Sequence, residues 1–372
     1  MSETPNRKKK NKRKRFSAWK WIVLSLLFFV VGIIGFYGYS IVKFGQGINK
    51  DAEDSRFSQF YKDRNVAAEP ADPVPKWEGK ERVNILLLGG DERGLHKNEV
   101  PRSDTMMLVS IDPVTKTAHL ISILRDTYAE IPGYGRQRVN AALALGGPEL
   151  AMETVGNLLD VSVQYFVYVD FQGFISLIDA IGGVEFYVEK NMRYSTRADG
   201  PEYDINLEEG WQVLDGKKAL QYVRFRNDAR GDYARTERQR EFMKAVANKL
   251  QSTTSLVKLP QILEKIEPHI ETNMTLTDML KLGALAFEIR NETIHSMQAP
   301  PQELLREENI GGASVITVDR DELVRYVHEQ FELAAMEPED ETEDLTGDAG
   351  GHAEEGQGQT AEDYTKLQEV GS

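Results

Sequence analysis

The sequence predicts an α/β (α+β) fold: a mixed central sheet flanked by helices, preceded by one transmembrane helix. Three observations lead there. A run of 22 residues without a charged side chain, 21–42, stands near the N-terminus. Beyond it, short continuous apolar runs bounded by turn signals interleave with stretches of helical period, as in mixed-sheet domains. At 372 residues the chain also has ample length for a real core.

The span is read first. Residues 1–20 carry nine basic side chains against one acid, Glu3, although the whole chain has a net charge of −14. A bilayer core takes about 20 apolar residues as a helix, whereas a cleavable signal has an apolar region of only about 7–15. Tyr37, Tyr39, Ile41 and Phe44 stand where small cleavage-site residues would be needed. Residues 21–42 therefore read as an anchor, with Trp19, Trp21, Tyr37 and Tyr39 as interfacial residues. The basic head, 1–20, then belongs in the cytoplasm beside anionic lipid, and everything after Val42 outside the cell. This is a single-pass arrangement. Nucleic acid is not an expected partner, because the head is short, abuts the membrane and has no helix-turn-helix pattern.

Residues 43–80, polar and holding Pro70, Pro73 and Pro75, read as an irregular stalk. Residues 337–372 are rich in Glu, Asp, Gly and Thr and cannot bury enough apolar surface to fold. The folded region is 81–335. Within it 83–89 (VNILLLG) reads as a buried strand. Residues 106–111 and 118–124 are two more, joined by the turn signal at 112–115 (DPVT). Gly147-Pro148 opens a helix to about Leu159. Residues 164–169 alternate as a strand, 171–181 form a buried helix stopped by Gly182-Gly183, and 184–188 form a strand. A helix over 232–250, a last strand at 314–318 and a capping box of Asp319 and Glu322 complete the series.

Several devices are missing. The chain has no cysteine, which excludes disulfides, thiol catalysis and cysteine-bound metal. Gly89 and Gly94 have P-loop spacing, but Leu95-His96 follows them. There is no G-x-S-x-G, no H-E-x-x-H and no metal-ligand spacing among the six histidines. What remains is acid and arginine at strand ends. Asp91 follows the first strand, Asp104 precedes the second, and Arg125-Asp126 ends the third. A hairpin centred between Val114 and Thr115 pairs residues whose numbers sum to 229, and so sets Asp104 opposite Arg125. Such charges can be ordinary solvated strand ends; they can also be the mouth of a ligand site.

A second group narrows the choice. In an extended 222–226 (YVRFR), Arg224 and Arg226 project to one side. The apolar stripe of the next helix, Phe242, Val246 and Leu250, continues backwards through Gln239 and Arg235. An arginine on the buried face of a helix N-terminus is poorly placed for the dipole, and an anion there would relieve it. Arg224, Arg226, Arg235 and Arg238 therefore read as a phosphate clamp, with internal salt bridges as the alternative. Two carboxylates beside several arginines, without a serine or cysteine nucleophile, fit oxygen-ligated Mg²⁺ or Mn²⁺ on a diphosphate.

The stretches NILLLGGDER, RSDTMMLVSID, SILRDTY, GYGRQRVNAA, FVYVDFQGFISLIDAIGGVEF, LDGKKALQYVRFR and GDYARTERQ resemble, in order, the motifs of the LytR-CpsA-Psr family, over about 81–250. The chain closely resembles its teichoic-acid transferase members. The resemblance implies a wall enzyme of Gram-positive type with its catalytic domain outside. Such an enzyme moves an anionic glycopolymer from a polyprenyl pyrophosphate to a peptidoglycan hydroxyl, forming a phosphodiester. It further implies Mg²⁺ on Asp91 and Asp104, pyrophosphate contacts from Arg102, Arg125, Arg224, Arg226 and Arg235, and Arg238 and Gln239 nearby. Leu124 departs from the proline that relatives often carry before Arg-Asp. A polymer-binding module and a lipid pyrophosphate hydrolase using the same site are the competing readings. Residues 161–188 are apolar enough to line a polyprenyl tunnel, or to be plain core.

Overall fold

A computed structural model describes residues 16–50 (side chains from 28 onward), 53–63, 77–90, 100, 102–195, 200, 203–228 and 230–336. Asp91, Pro70, Pro73, Pro75, residues 1–15 of the head and the acidic tail lie outside the described residues.

The chain opens with α1 (Phe16–Ile48) and the short α2 (Ser58–Asp63). Three strands follow: β1 (Val83–Gly90), β2 (Ser103–Asp112) and β3 (Thr117–Ile123). A small ribbon, β4 (Tyr128–Ile131) and β5 (Gly135–Arg138), leads to α3 (Ala141–Leu159), β6 (Tyr165–Asp170) and α4 (Phe171–Ala180). Then come β7 (Val184–Val188), β8 (Met192–Tyr194), β9 (Ile205–Leu207) and β10 (Gly210–Leu214). Helices α5 (Gly216–Arg224), α6 (Asp232–Leu250), α7 (Thr253–Val257) and α8 (Leu259–Ile266) precede β11 (Ile270–Thr272). The chain closes with α9 (Leu276–Glu288), β12 (Ile294–Ala299), the hairpin β13 (Arg306–Ile310) and β14 (Ala313–Thr317), and α10 (Arg320–Met336).

The central sheet has six strands in the order β11-β6-β1-β2-β3-β12. It is mixed: β1 is parallel to β6, β3 is parallel to β12, and the other pairs are antiparallel. Period-2 alternation sends its apolar side chains to both faces. Leu86, Leu88, Phe166 and Tyr168 join α3 and α10 in one core, whereas Val167 and Val169 join α4, α6 and α8 in a second. A third core gathers Ile85, Tyr165 and the α9 residues Leu282 and Leu285. Continuous apolar runs are what a sheet covered on both faces requires.

The β2–β3 ladder pairs Met107 with Ser122, Leu108 with Ile121 and Asp112 with Thr117, the register expected from the turn at 112–115. Gly182 and Gly183, at φ of 86° and 80°, end α4 in the left-handed region that glycine tolerates. The helix expected from Gly147-Pro148 is the second part of α3, whose geometry breaks at Gly146 and Gly147. The helix over 232–250 is α6, and the N–H of Glu322 donates to Asp319 Oδ1 at 3.1 Å at the start of α10.

Two expectations are corrected. Residues 43–80 are not an irregular stalk where they are described. Helix α1 runs on to Ile48, which is buried against Ile262 and Ile266 of α8, and Phe57 sits in the first core at 1% exposure. Arg56 bonds Asp170 at 3.2 Å and the carbonyl of Pro268, and its backbone N–H donates to Glu271. Isolated apolar residues in a polar stretch carry no period, so the sequence conceals them. The second correction concerns 222–226. Tyr222 to Arg224 form the last turn of α5, capped at its start by Asp215 accepting from Lys218 N, and only Phe225 onward is extended.

Helix α1 has 33 residues, and its part over Phe28–Ile48, of mean hydropathy 1.6, is long and apolar enough to cross a membrane.

Candidate functional site

The site lies where β1, β3 and β6 end and β2 begins, all at one edge of the sheet. The backbone narrows there. A Cβ at Gly90 would fall 2.1 Å from the Tyr168 hydroxyl and one at Gly89 3.0 Å from Thr105, so only glycine lets β1 end so close to its neighbours. Asp91 comes next in sequence and lies outside the described residues.

Asp104 and Arg125 continue the β2–β3 register past its last ladder pair, and their side chains meet: Arg125 Nη1 donates to Asp104 Oδ1 at 2.7 Å. Arg226 reaches the same oxygen at 3.6 Å and Asp232 Oδ1 at 3.7 Å, while Arg235 bonds Asp232 at 2.9 Å. Asp126 lies 3.5 Å from Arg125 and 3.1 Å from Arg138. Burial alone would lower Arg125, but the carboxylates of Asp126, Asp104 and Asp232 outweigh it and hold the guanidinium above its usual range. Burial raises the Asp232 carboxyl, with Arg226 and Arg125 pulling the other way.

Behind this charged rim opens a cavity of about 720 Å³. Asp104, Arg224, Arg226, Arg235 and Gln239 stand on its wall, and the remainder is largely apolar, including Val167, Val169, Phe174 and Leu177. Arg224 is stacked between Phe171 and Tyr203 at 5.4 and 5.3 Å. Gln239 ties α6 to the sheet by donating to Thr105 Oγ1 and the Val223 carbonyl. Arg235 is 2% exposed and its Nε is buried without a partner. A buried charged donor left open costs several times an ordinary hydrogen bond, and an anion in the cavity would satisfy it.

The structure thus brings together Asp104, Arg125, Arg224, Arg226, Arg235 and Gln239. It does not bring in Arg238 or Arg102. Arg238, only 4% exposed, bonds Glu189 at 2.6 Å, the Phe225 carbonyl at 2.8 Å and Asp228, and so pins the loop at 225–228 instead of lining the cavity. Arg102 is exposed ahead of β2 and is not on the cavity wall. Sequence reasoning missed Asp232 as the carboxylate between two arginines; its place at the head of GDYARTERQ was the available signal. Residues 167–177, left open between tunnel and core, supply part of the wall.

Among the described residues no group of three or more His, Asp or Glu side chains is poised around a metal position. The donor chemistry is nevertheless compatible with a hard cation. Both arginines meet Asp104 at Oδ1, which leaves Oδ2 for another ligand.

The LytR_cpsA_psr family profile matches residues 43–332, more than three-quarters of the chain. The chain belongs to the LytR-CpsA-Psr family. Among its relatives of this family, the polyisoprenyl-teichoic acid–peptidoglycan teichoic acid transferase TagU of Oceanobacillus iheyensis is 33% identical over 77% of this chain and 84% of its own length. The regulatory protein MsrR of Staphylococcus aureus is 33% identical over 70% and 75%. Protein gbs0355 from Streptococcus agalactiae superposes with a TM-score of 0.60 at 29% identity, covering 68% of this chain and 88% of that one. The LytR-CPS2A-psr protein YwtF (TagT), solved with bound octaprenyl pyrophosphate, gives 0.52 at 25% identity, over 71% and 94%.

Proposed function

We propose that this chain transfers an anionic glycopolymer, teichoic acid or a close analogue, from a polyprenyl pyrophosphate carrier to a peptidoglycan hydroxyl during cell wall assembly. The observation that carries it is the pairing of an arginine rim with an apolar cavity, including the unmatched Nε of buried Arg235. A diphosphate on a hydrocarbon tail needs both halves. TagU is named for this transfer, and YwtF holds such a lipid. The basic head sets the N-terminus in the cytoplasm and the domain outside, in keeping with a lipid-linked substrate at the outer surface.

In this reading Arg224, Arg226 and Arg235 grip the diphosphate, with the guanidinium forks matching paired phosphate oxygens. Arg125 anchors Asp104 and adds positive charge behind it. The acceptor hydroxyl oxygen attacks the phosphorus that carries the polymer. The bond from that phosphorus to the bridging oxygen breaks, and polyprenyl phosphate leaves. The hydroxyl proton passes to a carboxylate of the rim; Asp232 is the one whose proton affinity burial raises. A divalent cation, Mg²⁺ or Mn²⁺, held by Asp91 and Asp104, would neutralise diphosphate charge in a mouth already holding carboxylates. Positioning and charge neutralisation then supply most of the rate.

The test is transfer from a lipid-linked polymer to peptidoglycan by the full chain. Arg226→Ala and Arg235→Lys are each expected to lower the rate about 10²–10³-fold, as for a lost transition-state donor, and chelation of divalent ions is expected to abolish it. Parental rates in those variants would instead favour a polymer-binding module. Release of polymer to water without transfer would make the chain a hydrolase.

A further inference from the structure

We propose that one face of the domain, built from α7 and the outer side of the β7–β10 ribbon, rests in the headgroup region of the bilayer leaflet beside α1. The inference starts from Tyr37. This residue lies within the uncharged run 21–42, yet its hydroxyl donates to the carbonyl of Val257 at 2.7 Å. At 1.5 Å per residue the run is about 33 Å long, against a hydrocarbon core of about 30 Å. Tyr37, five residues before its end, therefore sits about 6 Å inside the outer hydrocarbon boundary, within the depth that interfacial side chains reach, and α7 sits beside it rather than above it.

Two side chains at that level are apolar and uncovered. Leu256 and Val257 of α7 are 38% and 67% exposed. The surface continues from there. A Cβ at Gly182 would lie 4.0 Å from Lys258 Nζ, and one at Gly183 would lie 2.7 Å from Val213 Cγ1, so the turn after α4 joins α7 to the ribbon. On the ribbon's outer side Trp211 is 73% exposed and Val213 58%, and Trp211 pairs with Tyr187 across the strands with rings 5.7 Å apart. The inner side is taken up by Phe186, packed on Tyr222 and Phe242.

An uncovered row of Trp, Tyr, Val and Leu, broken on the ribbon by the exposed Glu185 opposite Val213, lies beside a membrane-spanning helix with the aromatic and aliphatic content of an interfacial belt, and the exposed Lys258 can reach lipid phosphate. Glycan could stack on Trp211 and Tyr187 alone, but it has no use for Leu256 and Val257 or for their tie to the span. The lipid surface accounts for all of them. This proposal stands whether or not the chain is a transferase.

The chain has no cysteine, so single ones can report position. Val213→Cys, Val257→Cys and, on α10 across the sheet, Leu333→Cys are made in the full chain, labelled with an environment-sensitive fluorophore, and reconstituted into phosphatidylglycerol–phosphatidylethanolamine vesicles. Labels at 213 and 257 are expected to emit blue-shifted light, to be quenched by lipids spin-labelled near the headgroup, and to resist aqueous iodide. The label at 333 is expected to do the reverse. Iodide quenching of either 213 or 257 as complete as that of 333 would overturn the proposal. Shielding of 213 only by soluble peptidoglycan glycan fragments would also overturn it and make the ribbon a sugar platform.

Discussion

Arg238 and Arg235 stand three positions apart on one helix, and both are almost fully buried, yet their surroundings give them different tasks. Arg238 finds two carboxylates and a carbonyl within the protein. Removing it leaves Asp228 with Lys190 and Glu189 with the Tyr222 hydroxyl but frees the loop at 225–228, so Arg238→Ala is expected to cost about 2–3 kcal/mol in urea unfolding, below the range for breaking a fully buried pair. Arg235 has one carboxylate and an idle Nε. Arg235→Met is accordingly expected to cost less stability than Arg238→Ala, because Asp232 keeps Arg226 at 3.7 Å, while transfer falls. Sequence showed that both lie on or beside the buried stripe, but could not show which one the loop at 225–228 and the distant Glu189 would claim. His119 offers a further residue-scale expectation. It is 1% exposed, stacked on His295, and burial lowers it to about 4. A histidine depressed in the folded state contributes fully above its unfolded pKa of 6.5 and loses that contribution as pH falls towards about 4. His119→Gln is expected to flatten stability between those pH values by about 3 kcal/mol, read from denaturant midpoints along a pH series.

At the scale of elements, legibility followed locality. The β2–β3 hairpin could be registered to the residue because its turn is short and its ladder regular, and that alone set Asp104 against Arg125. The extended reading of 222–226 failed because an alternating pattern five residues long also fits the end of a helix followed by one extended step. Arg224 and Arg226 still converge on the cavity, by a different backbone path. Strands β8, β9 and β11, of three residues each, are too short to show a period at all. The segment after α1 hides its role for another reason: Phe57, Phe60 and Tyr61 are scattered among polar residues, and their burial is decided by the sheet they meet. Phe57 stacks edge-on against Phe166 and Tyr168. Phe57→Ala is expected to lower domain stability by about 3–5 kcal/mol, as for a core aromatic, measured on the full chain in detergent. A loss under 1 kcal/mol would return this segment to the status of a tether.

For the whole molecule, the sheet class and the placing of charge at one strand edge were foreseen from apolar runs with acids and arginines at their ends. The outer strands β11 and β12 were not, because they come from the last third of the chain and pair across long separations that leave no local mark. The most consequential feature at this scale is that α1 passes into the domain as unbroken helix, with Ile48 in a core and Arg56 tied to Asp170. A domain on a floppy leash explores a hemisphere and meets targets at any height within its reach. One mounted on a stiff mast pivots little and patrols a thin slab at constant altitude above the lipid. On the proposed function, its two reactants would then meet unequally: a membrane-borne donor would always be at the right height, whereas a wall strand would react only where it dips into that slab. Inserting eight Gly-Ser residues after Ile48 is therefore expected to leave the turnover of short soluble acceptors unchanged and to redistribute attachment along the depth of intact wall, visible by labelling newly joined polymer in thin section.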